Sequence, residues 1–124
     1  MTLEGPVAWI TIDNPTRRNA ITPSMCQMFA AIAEDLAIRD DVRVVVVRGA
    51  GDVAFSAGAD ITTLRSSGSG DVADMRGIHA LVTVDVPVIA MVQGFCLGGG
   101  LASLFHASSD RGSVTVDSGL GGWW

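Results

Sequence analysis

A chain of 124 residues is long enough for one domain with a real core, and a composition that is 48% hydrophobic, with mean hydropathy +0.42, requires its apolar runs to be buried. A net charge of −5 argues against an extended nucleic-acid surface, which needs clustered Lys and Arg, but leaves room for a small phosphorylated ligand held by Arg17 and Arg18. No run approaches the roughly 18 uncharged apolar residues of a membrane span, and the amino terminus lacks a signal-peptide pattern, so a cytoplasmic location is the expectation.

In chain order, Val7-Ala8-Trp9-Ile10-Thr11-Ile12 reads as a strand punctuated by Asp13-Asn14-Pro15. It starts so close to Met1 that little room is left for a hairpin partner, and the first sheet is expected to be clipped there. Arg17-Arg18-Asn19-Ala20 reads as a polar loop. Thr22-Pro23 is a helix start, with Thr as N-cap and Pro at the first helical position. Met25, Phe29, Ile32 and Leu36 then fall on one helical face, which predicts a helix from Pro23 to about Arg39. Val42 to Val47 is an almost continuous β-branched run, the pattern of a strand buried on both faces of a parallel sheet. Strand, helix, strand is an α/β order.

Gly49-Ala50-Gly51-Asp52 is a turn leading into Phe55-Ser56-Ala57-Gly58-Ala59-Asp60-Ile61, where Asp60 can cap a short helix towards Arg65. Ser66 to Gly70 is a polar surface loop. Val72, Met75, Ile78 and Val82 give a moderately periodic helical stretch, interrupted by Gly77 and ended by Asp85-Val86-Pro87. Val88 to Val92 is the next buried strand and runs into Gly94-Phe95-Cys96-Leu97-Gly98-Gly99-Gly100. From Ser103 the composition turns to serine and glycine, with Val114-Thr115-Val116 as a possible short strand and Trp123-Trp124 at the end. The expected division is 1–102 as the domain and 103–124 as an atypical tail.

The segments around Gly58 and Gly99 are expected to meet in space. Consecutive glycines after a buried strand leave backbone N–H groups bare, and a helix starting there adds unpartnered amides at its positive end. Such a place suits an anion or a developing oxyanion, although glycine runs are also commonly just tight loops. Other chemistry has less support. Cys26 and Cys96 lack metal-type spacing and read as reduced thiols, one on a helix and one in the glycine turn. His79 and His106 have no paired acid or ligand spacing, and Glu34 beside Asp35 reads as solvated. No Lys-Ser/Thr follows the glycine triplet, and the dinucleotide-binding order of glycines is absent.

Asn14-Pro15-Thr16-Arg17-Arg18-Asn19-Ala20-Ile21, the segment Phe55 to Ile61 and the segment Gly94 to Gly100, in that order and with these flanking strands, resemble the enoyl-CoA hydratase/isomerase (crotonase) family over roughly Pro6 to Ala102. The resemblance implies an α/β fold of the crotonase-like ββα spiral type, incomplete, with only its first two to three turns. It implies an acyl thioester of coenzyme A as substrate, no cofactor and no metal, and assembly as a homotrimer or hexamer. Carried over residue by residue, it puts one oxyanion-binding backbone amide on Ala59 and the other on Gly99. Arg17, Arg18, Ala20, Ser56, Ala57, Asp60 and Ile61 match segments that line the coenzyme A site, as do Leu97, Gly99 and Gly100.

The sequence departs from the family in its proton-transfer groups. The glutamate that hydratases carry two residues after the triplet is replaced by Ala102, and the second acidic residue belongs to a stretch not present here. The basic residue many members carry after the Asp-Ile pair is absent too, since Thr62-Thr63 follows, leaving Arg65 to reach a phosphate. The abrupt change at Ser103 is expected to be a truncated or frame-shifted reading of the gene. Two functions follow: an enolate-stabilising acyl-CoA enzyme or its inactive remnant, or a non-catalytic coenzyme A-binding or subunit-like fragment. Partners from other classes, nucleic acid and membrane, are not expected.

Overall fold

The computed structural model describes residues 1–60, 76–97 and 114–116. Among these, β1 (Thr2–Glu4) and β2 (Val7–Ile12) form an antiparallel hairpin, followed by α1 (Pro23–Ala37), β3 (Val44–Gly49) and β4 (Ala54–Ser56). A short helix α2 (Arg76–Ala80) continues as a 3-10 turn over Leu81–Thr83, then come β5 (Val88–Val92), β6 (Phe95–Cys96) and β7 (Val114–Val116). The main sheet has the order β1-β2-β3-β5-β7, parallel from β2 onward. A second, two-stranded layer pairs β4 with β6 in parallel.

The chain therefore repeats a step: a strand in the main sheet, a short extended segment in the second layer, and a helix. β3–β4–α2 is one such turn, and β5–β6 opens the next. In the first turn, β2 and α1 are separated by Ile21, which makes a single parallel bridge to Ala59 and occupies the place of the second-layer strand. This is the expected crotonase-like ββα spiral, with two turns and the beginning of a third. Val114–Val116, inside the segment read as a tail, pairs in parallel with β5 and extends the same sheet.

The core lies between one face of the main sheet and the helices. Ala8, Ile10 and Ile12 of β2, Val45 and Val47 of β3, and Val88, Ala90 and Val92 of β5 face Cys26, Phe29, Ala33 and Leu36 of α1, with Ile78 and Leu81 beside them. Burying each large aliphatic side chain of this set contributes roughly 1.5–3 kcal/mol. Thr22 caps α1 as expected, its hydroxyl accepting from Met25 N–H at 3.3 Å. Phe29 and Leu36 of the predicted stripe are buried, while Cys26 and Ala33 take the places of Met25 and Ile32, which sit at its flanks.

Three expectations need correction. The first strand does have a hairpin partner: a two-residue turn at Gly5-Pro6, with Gly5 at φ +55°, lets Thr2–Glu4 fold back within the available length. The strand predicted over 42–47 runs two residues later, because its register with β2 places Val44 opposite Val7 and Gly49 opposite Ile12. Nor is β3 buried on both faces. Val45 and Val47 are buried, but Val44, Val46 and Arg48 are only half-buried on the opposite face, beside Trp9 and Ile89. There the Arg48 guanidinium lies 4.8 Å from the Trp9 ring centroid and donates to Thr11 Oγ1 at 3.2 Å.

Gly77, which weakened the helical reading, explains the packing of α2. A Cβ at that position would collide with the main chain of Cys26, so glycine is what lets α2 close onto α1.

Candidate active site

The loop between β2 and α1 is the foundation of the site. Residues Pro15–Arg17 form one 3-10 turn, and Arg18 and Asn19 then both adopt left-handed backbone, at φ 50° and 56°. Left-handed conformation is unfavourable for most non-glycine residues, though asparagine tolerates it better. Here it is held by hydrogen bonds. Asn19 N–H donates to Asn14 O at 2.8 Å, Asn14 N–H donates to Asn19 Oδ1 at 3.0 Å, and Asn14 Nδ2 donates to Ala20 O at 2.9 Å.

Asn19 is only 1% exposed. Its Nδ2 donates to Ala50 O at 3.0 Å and to Ala54 O at 2.6 Å, tying the loop to the β3–β4 connection. Its own carbonyl accepts from Ser56 Oγ at 2.8 Å. Among the described residues no buried side-chain nitrogen or oxygen lacks a partner, so this polar core is fully satisfied. The sequence places Asn19 in a polar loop, 17–20, matching a segment that lines the coenzyme A site, but gives it no structural role of its own. The available signal was an asparagine following two arginines in a short strand-to-helix connection, where a left-handed residue is often needed.

The loop in turn fixes residues 56–60. Ala57 N–H donates to Arg18 O at 2.9 Å, Gly58 N–H to Ser56 Oγ at 3.1 Å, and Asp60 N–H to Ile21 O at 2.8 Å. Ile21 N–H donates to Gly58 O at 2.7 Å. Gly58 has φ +90°, a conformation that side-chain-bearing residues rarely adopt. Three of the four amides from 57 to 60 are thus engaged within the protein. The fourth, Ala59 N–H, donates to no atom among the described residues. The parallel bridge accounts for this: Ile21 bonds to the residues on either side of Ala59, so the N–H and C=O of Ala59 itself point away from it.

The second glycine-bearing segment approaches from the other side of β4. Cys96 is paired with Ser56, and Leu97 N–H donates to Ser56 O at 2.9 Å. Phe95 and Leu97 are more than half exposed, and the Arg18 guanidinium lies 5.5 Å from the Phe95 ring centroid. Arg17 Nη1 reaches Asp60 Oδ1 at 3.5 Å, with the carboxylate buried and the arginine half exposed. The pair keeps a cation beside the segment.

Of the sequence-predicted residues, Arg17, Arg18, Ala20, Ser56, Ala57, Ala59 and Asp60 are therefore brought into one hydrogen-bonded assembly with Leu97 at its edge. Ala20 and Ser56 are buried within it, and Ala57 and Ala59 are half-buried at its surface. Ile61, Gly99, Gly100, Arg65 and His106, and the helix that Asp60 was expected to cap, lie outside the described residues. Glu34 is exposed on α1 as expected, and His79 is exposed on α2. Cys26 is buried on α1; Cys96 is half-buried, and burial raises its thiol pKa. Among the described residues no cluster of His, Cys, Asp and Glu is suited to a metal ion, and no helix is long and apolar enough to cross a membrane.

Comparison with known proteins supplies the remaining context. The family model for enoyl-CoA hydratase/isomerase matches residues 2–110. A probable enoyl-CoA hydratase from Mycobacterium tuberculosis is 39% identical over 107 residues, covering 82% of this chain and 41% of its own length. A carnitinyl-CoA dehydratase from Salmonella arizonae is 36% identical, covering 94% of this chain and 47% of its own. Among solved structures, an enoyl-CoA hydratase from Polaromonas sp. JS666 superposes with TM-score 0.79 at 26% identity, covering 94% of this chain and 47% of its own. A probable enoyl-CoA hydratase/isomerase from Mycobacterium abscessus gives 0.73 at 32% identity, covering 93% of this chain and 43% of its own. The chain spans less than half the length of each of these relatives.

Proposed function

The chain belongs to the enoyl-CoA hydratase/isomerase family, and on that premise we propose that it binds a coenzyme A thioester and polarises its carbonyl through the amides of Ala59 and Gly99. The observation that carries this reading is the amide of Ala59, which alone of those from 57 to 60 donates to none of the described residues and is flanked by bonded neighbours. The second amide is supported by register: Ala59 and Gly99 each lie three residues beyond the paired Ser56 and Cys96. An α-proton of a thioester is too weakly acidic to leave at neutral pH unless the enolate is stabilised as it forms. Preorganised donors do so without reorganising, and one such donor is worth about 3–4 kcal/mol in other enzymes. Small residues at 57–59 let the thioester approach the main chain, and no side chain need be the donor.

In this reading Arg17, Arg18 and Asp60 sit where the phosphates and adenosine of coenzyme A approach, with Ile61, Leu97 and Gly100 lining the same site. Ala20 and Ser56 act from behind, through the loop that holds the amide. Proton transfer is the missing part. Ala102 stands at the position of the hydratase glutamate, so a proton-transfer role at that position has no acidic side chain to fill it. This favours a second reading beside the first: a non-catalytic coenzyme A-binding or subunit-like chain, working with a longer relative in trimers or hexamers in the cytoplasm.

Crotonyl-CoA hydration and acetyl-CoA binding by calorimetry separate the two. Binding without hydration identifies the non-catalytic chain, and turnover identifies the enzyme. Absence of both overturns the acyl-thioester reading.

A further inference from the structure

We propose that Asn19 is a positioning residue for the Ala59 amide, a role that rests on the oxyanion reading above for its purpose but on the hydrogen bonds alone for its geometry. The amide cannot aim itself: its own residue makes one bridge, and the residue before it is a left-handed glycine. The bonds that flank it come from 18–21, through Arg18 O, Asn19 O, Ile21 N–H and Ile21 O. Those four groups have their direction because the chain takes two consecutive left-handed residues at Arg18 and Asn19. That turn is anchored by the Asn19 carboxamide, which accepts from Asn14 N–H and donates to Ala50 O and Ala54 O.

The same carboxamide sets the height of the loop over the β3–β4 connection, and the Asn19 carbonyl continues the chain of bonds through Ser56 Oγ to Gly58 N–H. Asn19 thus reaches the residue before Ala59 by two routes: through the main chain to Ile21 and through the Ser56 hydroxyl. The Asn19 carboxamide bonds both to the β3–β4 connection and to its own loop. An aspartate would keep the acceptor and lose the donor, setting a carboxylate against two buried carbonyls. A serine is too short for either contact.

The test compares two ligands on the full chain. Acetyl-CoA carries the carbonyl oxygen that the amide would hold; S-ethyl-coenzyme A has the same nucleotide and pantetheine arm with a thioether in its place. The parent chain is expected to bind acetyl-CoA roughly two- to tenfold more tightly, the range of one net hydrogen bond. In Asn19→Ser that preference should fall to near unity while S-ethyl-coenzyme A binding is unchanged. A variant that keeps the preference, or that weakens both ligands equally, overturns the positioning role. Should Asn19→Ser fail to fold, Ser56→Ala removes one of the two routes alone, and a full preference retained there overturns the proposal.

A ligand-free readout separates this from the parent reading. In ¹⁵N–¹H spectra the Ala59 cross-peak should move in Ser56→Ala or Asn19→Ser while those of Val45 and Val47 hold still. An unmoved Ala59 peak sinks the positioning role. A parent chain with no thioester preference but a shifted Ala59 peak sinks the oxyanion reading and leaves the positioning role standing.

Discussion

Gly58 shows how one residue decides where an amide points. At φ +90° it makes the bend that allows Ile21 to bond on both sides of Ala59. Gly58→Ala is expected to cost about 1–3 kcal/mol, because a Cβ is strained in this conformation. The check is a lower urea midpoint at an unchanged denaturant slope, together with weaker acetyl-CoA binding. Cys96 makes a different point at the same scale. Its thiol is half-buried at the end of β6, and desolvation raises its pKa above the ordinary 9.0. In the folded chain it should react with iodoacetamide at pH 8 more slowly than a free cysteine, and at the free rate once unfolded in urea, by mass spectrometry. The sign of its linkage follows: folding holds the proton, so stability is undiminished below the ordinary thiol pKa and declines as pH rises from there through the raised pKa of the folded chain.

Elements were more legible than their exact extents. Helix α1 was visible from Thr22-Pro23 and a 3.6-residue apolar period, because local capping and patterning coincide there. Strands β2 and β5 were visible as β-branched runs with turn residues at their ends. What escaped was set by distant partners. The start of β3 depends on its register with β2, and the open second face of the sheet depends on what packs there rather than on the valine run itself. Asn19 escaped for the same reason: its partners lie 31 and 35 residues away. Gly77 looked like a defect in a helix and is instead the contact point between α1 and α2. Gly77→Ala should therefore destabilise by about 1–3 kcal/mol through overpacking, despite alanine's better helix propensity. A rise in thermal midpoint would show that the two helices can separate freely.

At the scale of the molecule, the main sheet is layered by burial. Val45 and Val47 sit at its centre with no measurable exposure, while all of β1 is exposed at one edge. Hydrogen exchange should follow this order, with the β3 amides slowest and those of Thr2–Glu4 exchanging through local fraying. Uniform fast exchange across β2, β3 and β5 would mean that the sheet does not hold together in a chain spanning less than half the length of its relatives. Family membership was readable because three short segments carry it in order. The disengaged Ala59 amide was not, since it is defined by which neighbouring groups are already bonded.

Apart from the Leu97 contact to Ser56, the bonds described beneath Ala59 join residues within 14–60. During synthesis this part of the protein leaves the ribosome before the glycine triplet has emerged. These bonds can consequently form early, as soon as β3 pairs with β2 and the loop between Ile12 and Pro23 closes. On the proposed reading, errors in the glycine triplet would spoil the second donor while leaving the bonds beneath Ala59 in place.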